Sequence, residues 1–113
     1  MKDNKNLQNL RSMETNKLCY ICSPLRWDIE KNLKYAKQLA IDITMEWYIP
    51  IVPHLYFTTF LNDENEDERK MGMKMGLDIL KLCSYYYIWD AYWISPWMKE
   101  EIKLSEKLKL IKI

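Results

Sequence analysis

The chain has 113 residues, enough for one domain with a core, and 49% of them are apolar. Seventeen basic residues, that is 17 against 16 acidic ones, leave a net charge of +1, so no strong field is available for nucleic acid or an anionic membrane surface. No run of about 18 uncharged apolar residues is present to make a transmembrane helix, and the polar N-terminus lacks the apolar stretch of a secretion signal.

Residues 1–16 are rich in Lys and Asn without a sustained period and predict a flexible leader. The domain is expected to span 17–113. Lys17 to Ser23 is a short apolar run of strand formers stopped by Pro24, and predicts a central first strand. It contains Cys19 and Cys22. Their C-x-x-C spacing resembles a metal or redox motif, but residues three apart on a strand face opposite sides. With Cys83 the count is odd, which predicts reduced thiols in a cytoplasmic protein and no metal.

Asp28 is a good N-cap for a helix over about 29–46, in which Ile29, Leu33, Ala36, Ala40, Ile43 and Trp47 recur on one face. Ile49 to Val52 predicts a second strand, with Pro50 suited to an edge. His54 to Phe57 is expected to leave the sheet. The acidic run 62–68 predicts a solvated loop leading into a helix over about 67–82, with Met71, Met75, Ile79 and Leu82 on its inner face. Gly72 and Gly76 share that helix. Each costs about 1 kcal/mol relative to Ala, so the pair predicts a contact that demands small residues. Tyr85 to Trp89 predicts a third strand. Met98 to about Lys109 predicts a last helix, with Met98, Ile102, Ser105 and Leu108 facing inward, and 110–113 a short final strand at an edge.

The order β-α-β-α-β-α-β predicts an α/β protein: a small Rossmann-like (flavodoxin-like) three-layer fold with a parallel sheet of about four strands. In such a sheet the strand ends pool Tyr20, Arg26, Asp28, His54, Ser95 and Glu101 at one rim, where ligands bind in open α/β folds. Read singly, several of these have plainer roles. Asp28 and Ser95 fit helix caps, Arg26 fits a surface ion pair as well as it fits a phosphate, and Glu101 fits a surface acid near a helix start. No Gly-rich phosphate loop and no G-x-S-x-G elbow is present, so neither a nucleotide cofactor nor a serine hydrolase is predicted, and no other cofactor is expected.

The segments Tyr20-Ile-Cys-Ser-Pro-Leu-Arg26-x-Asp28, Asn32, Ile49-Pro-Ile-Val-Pro-His54, Glu68-Arg69 with Gly72 and Gly76, and Ser95-x-x-Met98-x-x-Glu101-Ile102 carry a wider pattern. Taken in order, they resemble the nucleoside 2-deoxyribosyltransferase-like superfamily, and within it the small branch found in phages and mobile elements. The resemblance covers about 17–113. It implies cleavage or transfer at the N-glycosidic bond of a nucleoside or nucleoside 5′-monophosphate, through a covalent sugar ester of a glutamate.

The resemblance also assigns roles. Glu101 is the nucleophile, Tyr20 orients it, and Asp90 is the candidate acid that assists the leaving base. Arg26 and Ser95 are implied to hold the 5′-phosphate, and Asp28, His54 and Met98 join the substrate-binding set. A homo-oligomer is implied too, and the aromatic residues Tyr85, Tyr86, Tyr87, Tyr92 and Trp93 would suit its interface. Three departures stand out: Trp27, Trp47 and Trp97 occupy positions where relatives carry glycine. Trp27 and Trp97 would either fill the phosphate pocket or stack on a ligand's ring. The rival expectation is a catalytically weakened accessory protein that binds a nucleotide or another protein.

Overall fold

The computed structural model describes residues 16–26, 28–89 and 94–113. The flexible leader expected over 1–16 falls almost wholly outside them, as do Trp27, Asp90, Tyr92 and Trp93. The described chain runs β1 (Leu18–Cys22), α1 (Ile29–Met45), β2 (Ile49–Ile51), α2 (Pro53–Phe57), α3 (Glu66–Leu80), β3 (Tyr85–Ile88), α4 (Pro96–Lys107) and β4 (Ile111–Lys112). The four strands form one sheet in the order β2-β1-β3-β4, and every pairing is parallel. The fold is therefore α/β, a small Rossmann-like arrangement in three layers. Pro50 lies in the edge strand β2, where a missing donor can be tolerated.

The alternation of side chains along β1 splits the core in two. Tyr20 and Cys22 face a cluster with Leu80, Cys83 and Tyr86, joined by Leu77 of α3 and by Ile102 and Leu104 of α4. Cys19 and Ile21 face the other way, with Ile43 and Leu39 of α1, Tyr85 and Tyr87. The helices α3 and α4 thus cover one face and α1 the other. Cys19 and Cys22 sit in different clusters, as the strand period requires, and all three cysteines are buried free thiols. Burial pushes the Cys19 thiol up to about 12 and Cys83 to about 11, with Cys22 higher still, so none is a thiolate at neutral pH.

The strand order reverses between β1 and β3. From β1 the chain moves outward to β2, then crosses back to β3 and continues to β4. The crevice at the carboxyl ends of β1 and β3 is the switch point of the sheet.

The segment after β2 leaves the sheet as expected, as a short helix with Pro53 at its start, where the missing N–H costs nothing. Several local expectations need correction. The inner face of α3 is not the methionine line: Met71 and Leu82 are exposed, and Gly76 and Leu80 are buried. On α4 the buried line is Met98, Glu101 and Ser105, while Leu108 is exposed. Glu101 is thus no surface acid. Trp47, expected on the apolar face of α1, lies beyond its end and is 86% exposed. Of the β3 tyrosines, Tyr86 is core and Tyr85 and Tyr87 are half-buried; Tyr85 meets Tyr48 edge-to-face at 4.9 Å.

Trp47 has φ 68. Its N–H reaches Thr44 O at 3.0 Å, and Tyr48 N–H reaches Ile43 O at 3.2 Å. That pair of bonds is a Schellman closure, whose left-handed residue is usually glycine. Lys109, with φ 59, closes α4 in the same way through Ser105 and Glu106.

Candidate functional site

Three loops converge at the switch point. The first follows β1. Its carbonyls at Leu25 and Arg26 both accept from the Asn32 amide, at 3.0 and 3.1 Å, and Asn32 is buried in the first turn of α1. That double bond fixes the turn carrying Arg26. Asp28 caps α1 by accepting from Lys31 N–H at 3.2 Å, and it stays exposed. The second loop starts α2. Its His54 Nε2 lies 2.8 Å from the Ser23 carbonyl, which can only accept, so the proton sits on Nε2. Burial lowers the His54 pKa from its ordinary value, leaving a neutral imidazole at pH 7 that ties the β2 end to the β1 end. The third loop ends at Ser95. Its Oγ accepts from Met98 N–H at 3.1 Å and caps α4, and the hydroxyl keeps its own proton to donate.

These loops and the inner face of α3 enclose a pocket of about 330 Å³. Tyr20, Arg26, His54, Ser95 and Trp97 all line it. Trp97 forms part of the wall and leaves the cavity open. Asp28 does not reach the wall. Met98, expected as a ligand contact, is fully buried core and takes part only through its capped N–H. Trp27 and Asp90 lie outside the described residues. Among the described residues no cluster of His, Cys, Asp or Glu could hold a metal ion.

Behind the pocket wall stands Glu101. It is 2% exposed, projects from the second turn of α4, and its Oε2 accepts from the Tyr20 hydroxyl. The other oxygen, Oε1, is buried without a partner, as is the Ser23 Oγ. An unpaired buried polar atom costs about 1–3 kcal/mol, so this carboxyl is held at the expense of stability. Desolvation pushes its pKa up from 4.5 to about 8, against the Tyr20 bond, which lowers it. The Tyr20 phenol is raised too, by burial first and then by the Glu101 charge. Both groups carry their protons at neutral pH.

Glycine makes room for this pair. A Cβ on Gly76 would stand 3.1 Å from the Tyr20 hydroxyl. The small residue demanded by the sequence pattern is therefore demanded by the tyrosine that holds Glu101. Gly72 differs: a Cβ there would meet only Leu61 Cδ1 at 3.4 Å and Phe57 Cβ at 4.0 Å.

A protein-family model described as Domain of unknown function (DUF7768) matches residues 17–112. The chain belongs to that family. A search of curated proteins returned no match. Within this DUF7768 domain, the pocket also contains residues that the reading of single positions did not select. Asp63 sits between Arg26, at 3.3 Å, and Arg69, at 3.8 Å. Asp63 was hidden in an acidic run that reads as solvated loop. Arg69 stood in the Glu68-Arg69 pair, which signalled a matched motif without a role. Ser23 follows directly on the strand and carried no signal of its own.

Proposed function

We propose that the chain cleaves, or transfers across, the N-glycosidic bond of a nucleoside or nucleoside 5′-monophosphate, with Glu101 as the nucleophile. The observation that carries this reading is the Glu101 carboxyl. It is buried beside the pocket at the switch point, one oxygen is held by Tyr20, and the other is unpaired. Such a carboxyl is desolvated and oriented, and it gains a partner only when something reaches it.

In this reading an oxygen of Glu101 forms an ester bond to C1′ as the C1′–N bond breaks. The bonding pair leaves with the base, which takes up a proton. Water or a second base then attacks C1′ and returns the carboxylate. Tyr20 orients the carboxyl through Oε2 and leaves Oε1 to attack, Ser95 and Arg26 bind the 5′ end, and His54 and Trp97 border the ring-binding space. Attack needs the ionised carboxyl, so kcat/KM should rise with pH through about 8. The expected site of action is the cytoplasm and the expected assembly a homo-oligomer. For the latter the exposed aromatic pair Tyr56 and Phe60, with ring centroids 5.2 Å apart, is the surface to test by light scattering.

Incubation with a panel of nucleosides and nucleoside 5′-monophosphates should release free base, and Glu101→Gln should release none. Equal release by both proteins would refute the assignment.

A second reading rests on a specific feature of the same site. Glu101 does not itself line the pocket; Tyr20 stands between. A protein that binds a nucleotide-like ligand without attacking it would need no more than this. Calorimetry that finds tight nucleotide binding, alongside base release at the rate of the Glu101→Gln variant, would favour that reading.

A further inference from the structure

Two guanidinium groups line the pocket, and one carboxylate is shared between them. Arg26 Nε lies 3.3 Å from Asp63 Oδ2, and Arg69 Nε lies 3.8 Å from Asp63 Oδ1. Each carboxylate oxygen thus serves one arginine through its Nε. This is the spacing that one tetrahedral or planar anion, set between two guanidiniums, would use. Other nearby acids are differently engaged. Glu66 meets Arg69 Nη1 at 3.8 Å from the solvent side, 62% exposed. Glu68 lines the pocket, but its Oε1 accepts from Asn62 N–H at 3.2 Å and is committed to the loop.

The loop bearing Asp63 holds itself together without that side chain. Asn62 Oδ1 accepts from Glu64 N–H at 3.0 Å, Asn62 O accepts from Asn65 N–H at 3.0 Å, and Asn65 caps α3 through Glu68 N–H at 3.1 Å. The Asp63 side chain can therefore swing away at the cost of its two ion pairs alone. Arg26 has a side chain 46% exposed, so its pair with Asp63 is weakened by solvent, and the Asp63–Arg69 contact is long, at 3.8 Å.

We propose that Asp63 is an internal stand-in for the anion of a ligand. Its carboxylate keeps Arg26 and Arg69 together on the pocket wall, and a phosphate monoester takes both guanidiniums by displacing it. A ligand without such a group leaves Asp63 on its two arginines, so Asp63 sets how tightly the pocket takes a phosphorylated ligand. That the ligand is a nucleotide rests on the function proposed above; the anion exchange does not.

The test is calorimetry of the full chain with inorganic phosphate at low ionic strength, where such contacts are least screened. Asp63→Asn should bind phosphate about fivefold more tightly than the wild type, the factor expected for release of a weak ion-pair competitor. Glu66→Gln, with the same change in net charge, should gain less than about twofold. Adding Arg69→Gln to Asp63→Asn should abolish the gain. If Asp63→Asn melts early, Asp63→Ser carries the same comparison.

No gain on removing Asp63, an equal gain from Glu66→Gln, or a gain that survives Arg69→Gln would each overturn the proposal. The base-release assay separates this from the function proposed above. The phosphate gain without base release from any nucleotide would leave the exchange standing and sink the glycosidase. Base release equally fast from nucleosides and their 5′-monophosphates, with no phosphate gain, would do the reverse.

Discussion

The two faces of the sheet are built from one strand and differ in what they tolerate. Toward α1, β1 presents Cys19 and Ile21 to Ile43, Leu39 and Tyr87, and the packing is apolar. Toward α3 and α4 it presents Tyr20 and Cys22, and there a carboxyl, a phenol and a pocket interrupt the packing. A face built only for stability would hold no unpaired Glu101 Oε1. The contrast separates the half of the core that holds the fold from the half that gives up stability at the site.

The largest effect expected of that contrast is a stability that falls with pH because of one group. The unfolded Glu101 carboxyl ionises near 4.5, while the folded one keeps its proton to about 8. Between those values the native state binds more protons than the unfolded state, so stability falls as pH rises. Glu101→Gln removes this loss and can still accept from Tyr20. Urea melts should show the variant and the wild type close at pH 5. At pH 9 the variant should be more stable, by an amount on the order of 4 kcal/mol at most. A constant difference across that range would contradict the burial of an ionisable carboxyl.

Asn32→Ala comes next. It strips the Leu25 and Arg26 carbonyls of their shared donor and should cost about 1–3 kcal/mol. If Arg26 serves the pocket, the same change should weaken phosphate binding in calorimetry beyond any loss of folded protein.

The two glycines of α3 sharpen the comparison within one helix. Alanine at either gains about 1 kcal/mol of helix propensity. At Gly72 the nearest obstacle is the end of a leucine side chain, so Gly72→Ala should be neutral or stabilising. At Gly76 the obstacle is the Tyr20 hydroxyl at 3.1 Å, and overpacking there should make Gly76→Ala net destabilising by about 1 kcal/mol. Thermal melts of the pair should move in opposite directions. The smallest effect lies away from the site: Trp47→Gly relieves a left-handed residue whose ring is solvated, and should add up to about 1 kcal/mol.

Much of the architecture was legible in the sequence because its signals are local. Pro24 and Pro53 bound their strands, and Asp28 and Ser95 cap their helices as the pattern indicates. The faces of α3 and α4 were harder. On α3 the methionines have the right period, but the layer is too tight for them opposite Tyr20, and glycine occupies the inner line. On α4 a periodic reading puts Ile102 inside and Glu101 outside, because it assumes that charge faces water. Burial of Glu101 follows from a long-range partner, Tyr20, 81 residues earlier in the chain. The pooling of strand ends puts both positions at one rim, but no local signal pairs them. The Asp63 pairing with Arg26 is likewise a contact between distant segments, and an acidic run gives no sign of it.

The most direct test of Glu101 as nucleophile is intact-protein mass spectrometry after rapid mixing with a nucleoside 5′-monophosphate and acid quench. The wild type should gain the mass of one sugar phosphate, mapped to the peptide that carries Glu101, and Glu101→Gln should gain none. Base release by the wild type with the adduct on another residue, or an adduct that survives Glu101→Gln, would contradict the account.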